Sequence, residues 1–237
     1  MIDITKAVVL LGATPGGGAT RYTMGMVKAM GVNAMVAQRK RVTVAEFMAL
    51  PDDGNKHELV RGEVRVMPPS KGEHGFVETA ITEAIGRYLY DRAIALGWEP
   101  RQGIGARNRL VGRVGGGELG LRFAVPDDPS MVRGADGVYV PPAQLAEVAW
   151  DGREYFPAVP ALVIEVISAS DRADQVNEKI QDYLIGGARR VWCVYPAQRR
   201  VHVHDAQAPT RVVSGADSLT DDDLLPGFAL PLNLVFA

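Results

Sequence analysis

The chain has 237 residues, with 26 Lys and Arg against 28 Asp and Glu, 47% hydrophobic residues, 23% charged residues and one Cys. That profile excludes a disordered, collagen-like or disulfide-built protein. A formal charge of −2 announces no polyanion partner, so a nucleic-acid role must rest on a local basic surface or on bound metal ions.

Residues 1–40 hold five of the eight Met, and five basic residues (Lys6, Arg21, Lys28, Arg39, Lys40) against one acid, Asp3. With Gly16-Gly17-Gly18 inside it and no sustained period, this stretch is expected to be a poorly ordered N-terminal extension before one domain over residues 41–237. Translation starting at Met35 is one expectation for its origin. The segment from Gly12 to Gly17 begins like a phosphate-binding loop, but Gly18 and Ala19 stand where Lys and Ser/Thr are needed, which rejects that motif. No apolar run approaches the roughly 20 residues of a membrane helix. Ala7 to Leu11 is short for a signal-peptide core, and the lone Cys193 forms no disulfide framework, so no membrane association and a cytoplasmic location are expected.

Thr43-x-x-Glu46 reads as a capping box opening a short helix that stops at Pro51. His57 to Met67 reads as a tight hairpin turning at Arg61-Gly62. Apolar Val77, Ala80, Ile81, Ala84, Ile85, Tyr88 and Leu89 recur at helical steps, with Gly97 as terminator. Trp98 to Val140 reads as strands separated by a flexible Gly112–Gly120 stretch and by Pro126-Asp127-Asp128-Pro129. Leu162 to Ile167 is a β-branched run expected to be a central strand covered on both faces. A helix over about 172–185 with Val176, Ile180, Tyr183 and Leu184 inward, strands over 190–195 and 199–204, and a final edge element over Phe228–Leu232 complete the pattern.

Three residues put charge where the pattern is apolar: Asp136 before Val138-Tyr139-Val140, Glu165 inside the central strand, and Lys179 on the rim of the following helix's buried face. A strand-helix connection brings Lys179 back across the sheet, within reach of Glu165. Two carboxylates on adjoining strands suit Mg²⁺, and a lysine beside them can orient water. The bland alternatives are a turn aspartate bonded to backbone at Asp136 and a purely structural Glu165–Lys179 ion pair. The two readings diverge on Glu165→Ala: a structural pair loses stability, whereas a crowded carboxylate site gains it.

At these positions the chain resembles the PD-(D/E)XK nucleases, and specifically the Uma-two family of restriction-endonuclease-like proteins, from about Thr43 to the C-terminus. The resemblance rests on His57-Glu58-Leu59-Val60-Arg61-Gly62-Glu63-Val64, Ala135-Asp136-Gly137-Val138, Glu165-Val166-Ile167-Ser168-Ala169-Ser170 and Lys179-x-x-x-Tyr183-x-x-Gly186. Val191-Trp192 with Tyr195-Pro196, and Leu225-Pro226-Gly227-Phe228, extend it. Ala135 replaces the usual proline, Gly187-Ala188 replaces Gly-Val, and Ile167 stands where the superfamily has its lysine, which here moves to the helix. The resemblance implies an α/β fold with a restriction-endonuclease-like mixed central sheet flanked by helices. It implies a Mg²⁺- or Mn²⁺-dependent endonuclease that hydrolyses DNA phosphodiesters by a metal-activated water, leaving 5′-phosphate and 3′-hydroxyl ends. Asp136, Glu165 and the Val166 carbonyl would hold the metal, and Asp136, Glu165 and Lys179 would be catalytic. Homodimerisation is expected, because cutting a duplex needs two sites. The alternative is an inactive DNA-binding or protein-interaction domain that keeps the fold.

Glu63, ahead of Glu58, is the hairpin carboxylate preferred for the site, though solvated hairpin charges explain both. His74 either touches substrate phosphate or caps its helix. His202 and His204 share one strand face with no third metal ligand near them in sequence, and Cys193 reads as core. Arg189, Arg190, Arg199 and Arg200 read as a basic cluster at the turn between the last paired strands, available for a phosphate backbone or simply solvated.

Overall fold

Thr43 caps the first described helix. Its N–H donates to Glu46 Oε2 at 2.9 Å and the Glu46 amide donates to Thr43 Oγ1 at 3.2 Å, closing the expected capping box of helix α1 (Val44–Met48). This computed structural model describes residues 41–67, 72–148 and 150–236; the extension expected over residues 1–40 lies outside them. Strands β1 (Lys56–Val60) and β2 (Glu63–Met67) form the expected hairpin, with φ of 51° at Arg61 and 76° at Gly62. Two positive φ values let a two-residue turn follow the twist of its strands. Helix α2 (Glu73–Ala95) buries Val77, Ile81, Ile85, Leu89 and Ala93, one residue per turn along a single stripe.

The segment after α2 departs from expectation. Residues Gly103–Val111 form helix α3, where only strands were anticipated; its few apolar residues leave little periodicity to detect. The Gly112–Gly120 stretch is not a flexible separator. From Arg113 on it lies within strand β3 (Arg113–Val125), which pairs antiparallel with β4 (Asp128–Val140) and shifts register between Gly116 and Leu119. Glycine thus marks a bulge inside a strand, where sequence reading takes it for a break. Helix α4 (Pro142–Glu147) leads on towards strand β5 (Leu162–Val166), whose five residues are all buried. Helix α5 (Ala173–Ile185) and strands β6 (Arg190–Tyr195) and β7 (Arg200–Asp205) fall where expected. Strand β8 (Arg211–Ser214) pairs with β7, and β9 (Ser218–Asp221) pairs with β10 (Leu225–Pro231) in a separate two-stranded sheet. The final segment therefore does not edge the main sheet; Phe228 and Leu230 pack instead in the core cluster that includes α2.

The main sheet runs β2-β1-β4-β5-β6-β7-β8, with β3 also on β4. Of its pairings only β5–β6 is parallel, and α5 makes the crossover between them. Leu162, Ile164 and Val166 pack with the α2 stripe, while Val163 packs with Ile180 and Tyr183 of α5. The sheet is thus mixed and covered by a helix on each face, which explains the unbroken apolar run in β5. One edge of β4 is taken by β3 along nearly all its length. Its other edge is divided: β1 joins at Leu59↔Val132, and β5 joins from Gly137↔Ile164 to Tyr139↔Leu162. Residues 133–136 of β4 lie at this fork. Among the described residues, no helix is long and apolar enough to cross a membrane.

Candidate active site

The fork gathers buried charge from three strands and one helix. Glu58 of β1, Asp136 of β4 and Glu165 of β5 are all buried, and Lys179 of α5 reaches between two of them. Lys179 Nζ lies 2.7 Å from Glu165 Oε2 and 3.4 Å from Glu58 Oε1. Asp136 Oδ2 accepts the Val166 amide at 2.6 Å, and its Oδ1 lies 3.2 Å from His74 Nε2 on α2. Tyr183, one turn after Lys179, places its hydroxyl 2.9 Å from Glu165 Oε1 and 2.8 Å from the Gly134 carbonyl oxygen.

Local sequence explains each placement. Met131 and Ala135 share a core cluster with Val138 and Val140, so side-chain alternation changes parity between Ala135 and Val138, facing the bulge in β3. Bulges re-aim side chains, and the residue re-aimed here is Asp136. Extending the β4–β5 register one step beyond Gly137↔Ile164 sets Asp136 opposite Glu165, where two like charges repel. Lys179 and Tyr183 stand four residues apart and therefore share a helix face. Gly186, one turn further, has no room for a side chain: a Cβ would lie 2.7 Å from both Phe123 Cδ2 and Val159 Cγ2. The helix can sit this close to the sheet because position 186 is glycine.

The electrostatics divide the carboxylates. Burial pushes Glu165 up to about 8, helped by Asp136 and Glu58 and opposed by Lys179. For Asp136, burial acts upward too, but it is outweighed by His74, Lys179 and the Val166 amide, which hold it below the usual carboxylate range. Glu58 is likewise lowered overall: against its burial stand Lys179, Arg133 and the Gly134 N–H. Lys179 stays well above its ordinary value although burial acts to lower it, because Glu165, Tyr183, Glu58 and Asp136 surround it. His74 is raised, chiefly by Asp136. The tyrosine geometry agrees with a proton on Glu165. One phenol proton cannot serve both acceptors, and a protonated Glu165 can donate to Tyr183 while Tyr183 donates to Gly134.

Of the two hairpin carboxylates the structure selects Glu58. Glu63 is exposed beside the turn and does not line the cleft; it shares Glu58's face of the hairpin through its pairing with Val60, but it stands on the edge strand β2, whereas β1 is inserted between β2 and β4. Glu58 Oε2 accepts from Arg133 Nη1 and its Oε1 from the Gly134 amide, both at 3.0 Å. Arg133, only 2% exposed, also binds Asp182, which Arg61 Nη2 reaches at 2.9 Å. Glu178 joins Arg61 at 3.0 Å and Arg65 at 2.6 Å. Sequence reasoning missed this ladder, although Arg133 after Met131-Val132 carried the same signal as Glu165: a charge in an apolar run. The four-arginine cluster does not form. Arg190 opposes Asp205 at one end of the β6–β7 pair, and Arg200 opposes Tyr195 at the other; Arg189 and Arg190 pair with Asp223, and Arg190 also with Asp205. Cys193 is buried, as expected.

The charged floor opens into a cleft of about 1290 Å³, lined among others by Lys56, Arg65, Glu118, Ser168 and Arg172. That exceeds the usual 300–1,000 Å³ or so of small-ligand pockets. Among the described residues, His74, Glu78 and Asp136 each offer one ligand atom, and these atoms lie within 4.8 Å of one another. His74 Nε2 faces Asp136 Oδ1 at 3.2 Å, and one imidazole with two carboxylates is a donor set that fits a divalent cation.

The family model of Uma2, described as a putative restriction endonuclease, matches residues 44–233. A crystal structure of a putative nuclease belonging to DUF820, from Anabaena variabilis, superposes with a TM-score of 0.63 at 18% identity. The match covers 82% of this chain and 97% of that one. No match was found among curated proteins.

Proposed function

The chain belongs to the Uma2 family of restriction-endonuclease-type proteins, and we propose that it is a divalent-metal-dependent endonuclease acting on DNA. The observation that carries this reading is the fork itself. Three buried carboxylates, Glu58, Asp136 and Glu165, converge near one ammonium, Lys179, at the floor of an open cleft. Burial at this density of like charge is costly unless a further cation enters.

Asp136, Glu165 and the Val166 carbonyl would hold Mg²⁺ or Mn²⁺, with Asp136 kept ionised by His74, Lys179 and the Val166 amide. A cation bound there lowers the pKa of a coordinated water and screens phosphate charge. Lys179 orients the attacking water or meets the charge that grows on the phosphate oxygens. Glu58 and Tyr183 fix Lys179 and Glu165 in place. The Arg133–Asp182–Arg61 ladder braces β1, β4 and α5 against one another, so these groups meet without reorganisation. Cutting both strands of a duplex takes two such centres, so a pair of chains is the expected cutting unit.

The test is cleavage of supercoiled plasmid and single-stranded DNA in Mg²⁺, Mn²⁺ and EDTA, beside folded Glu165→Ala and Lys179→Ala proteins. Metal-dependent nicking lost in both variants is the expected result. Equal cutting by all three proteins, or no cutting on any substrate, rejects the reading.

A further inference from the structure

We infer that the cleft takes an unpaired DNA strand, with its phosphates on the charged side and its bases against an apolar wall that includes the ring of Tyr155. The inference rests on the nuclease reading for its phosphodiester and names the substrate class of that same site.

The wall exists because α1 covers so little. The helix is five residues long and buries one side chain, Phe47, which packs in a small cluster with Leu59 and Val132. Val64 lies at the margin of that cluster. Val66, two residues further along the same face of β2, is beyond its reach and 58% exposed. Met48 and Leu50, at the end of α1 and just after it, are 46% and 42% exposed. All three line the cleft together with Phe47 and Tyr155. One exposed apolar residue is ordinary; several lining one cleft mark a binding surface.

Tyr155 gives the wall a flat, stacking surface. A Cβ at position 120 would overlap its ring, so the ring lies against β3 only because that residue is glycine. Phe47 stands behind it, with ring centroids 6.2 Å apart. Gly120 pairs with Gly134 of β4, whose amide is the one that holds Glu58. The wall therefore begins beside the charged floor.

The pleat sorts charge from apolar surface. Arg65 and Val66 are successive on β2 and so point to opposite sides; Arg65 pairs with Glu58 and shares its face. Arg65 and Arg172, which also line the cleft, each direct two N–H groups to a carboxylate, of Glu178 and Asp174 respectively. A guanidinium carries five such donors, which leaves others for phosphate oxygens.

This sorting distinguishes one strand from two. A duplex turns phosphates outward and keeps its base faces stacked inside, so an apolar wall would strip water from phosphates with no hydrogen bond in exchange. A single strand can set its backbone to one side and its bases to the other, and base faces stack on an aromatic ring whatever their sequence.

The experiment is fluorescence anisotropy at fixed salt in Ca²⁺, with three labelled ligands of about 12 nucleotides. They are a single DNA strand, the same backbone carrying abasic sites throughout, and a blunt duplex. Wild type should bind the single strand about tenfold or more tighter than either of the others. Tyr155→Leu and Leu50→Ser should each reduce that ratio by about fivefold or more, the second at an exposed position where folding is not at stake. Tyr155→Phe keeps the ring and should keep the ratio. Val212→Ser, at an exposed apolar position outside the cleft, should match wild type. Circular dichroism confirms that each variant is folded. Equal affinity for single strand and duplex, no measurable binding of the single strand, or tight binding of the abasic strand overturns the inference, as does an unchanged ratio in both Tyr155→Leu and Leu50→Ser. Base-dependent strand binding by a protein that cuts nothing in Mg²⁺ or Mn²⁺ keeps the wall and rejects the nuclease. Metal-dependent cutting that favours duplex and ignores the wall variants keeps the nuclease and rejects the wall.

Discussion

Replacing Glu165 with Gln separates a catalytic carboxylate cluster from a structural ion pair through the pH dependence of stability. Burial holds Glu165 near 8 in the fold against an ordinary 4.5. Between those values the native protein retains a proton that the unfolded chain has released, so stability falls as pH rises. The slope reaches about 1.4 kcal/mol per pH unit and accumulates to roughly 4–5 kcal/mol across the window. Gln cannot titrate, and it suits the same partners: its oxygen can accept from Lys179 and its amide can donate to Tyr183. Urea unfolding in EDTA should therefore give nearly equal stabilities for wild type and Glu165→Gln near pH 4.5. The variant should be several kcal/mol more stable above about pH 8, with similar m-values throughout. Mn²⁺ added at the alkaline end should recover stability in wild type far more than in the variant, because the ion binds the ionised carboxyl. Parallel pH curves, or a variant less stable by the same amount at every pH, would refute the argument and make Glu165 an ionised structural partner of Lys179.

Three other outcomes follow from the same geometry. Lys179→Met removes the ammonium between Glu58 and Glu165 and should cost about 3 kcal/mol; thermal unfolding should show Mn²⁺ narrowing the gap to wild type, and a gap indifferent to metal counts against a cation site. Arg133→Met removes the guanidinium that buried Glu58 and Asp182 share, leaving Lys179 for the one and Arg61 for the other; chemical denaturation should register a loss of about 3 kcal/mol, and a loss under roughly 1 kcal/mol would show the ladder to be solvated. Gly186→Ala drives a methyl group to 2.7 Å from Phe123 and Val159, so equilibrium unfolding should report about 1–3 kcal/mol of destabilisation; a neutral result would mean that α5 moves outward freely.

Much of the fold was legible because helices and strands announce themselves within short windows. The capping box at Thr43, the turn at Arg61-Gly62, the α2 stripe and the β5 run each depend on residues within a few positions of one another. Glu165 and Lys179 were legible for the same reason: a charge in an apolar pattern is costly wherever the segment folds. Helix α3 and the glycine-rich part of β3 were not, since weak periodicity hides the helix in a segment that reads as strand and repeated glycine makes the other resemble a break.

What the sequence determined alone, then, was local periodicity, and with it the charges that had to be buried. What the tertiary structure decided was which of those charges meet. Glu58 and Glu63 are indistinguishable as hairpin carboxylates until β1, and not β2, pairs with β4 and carries Glu58 beside Arg133 and Gly134. Glu78 reads as an ordinary helix-surface residue until the β3 bulge carries the Gly117 amide to it and the β4 parity change carries Asp136 alongside. Pairing register and bulges act between segments tens of residues apart, and shifting a strand by one residue turns every side chain to the opposite face, so no reading of a short window contains that information.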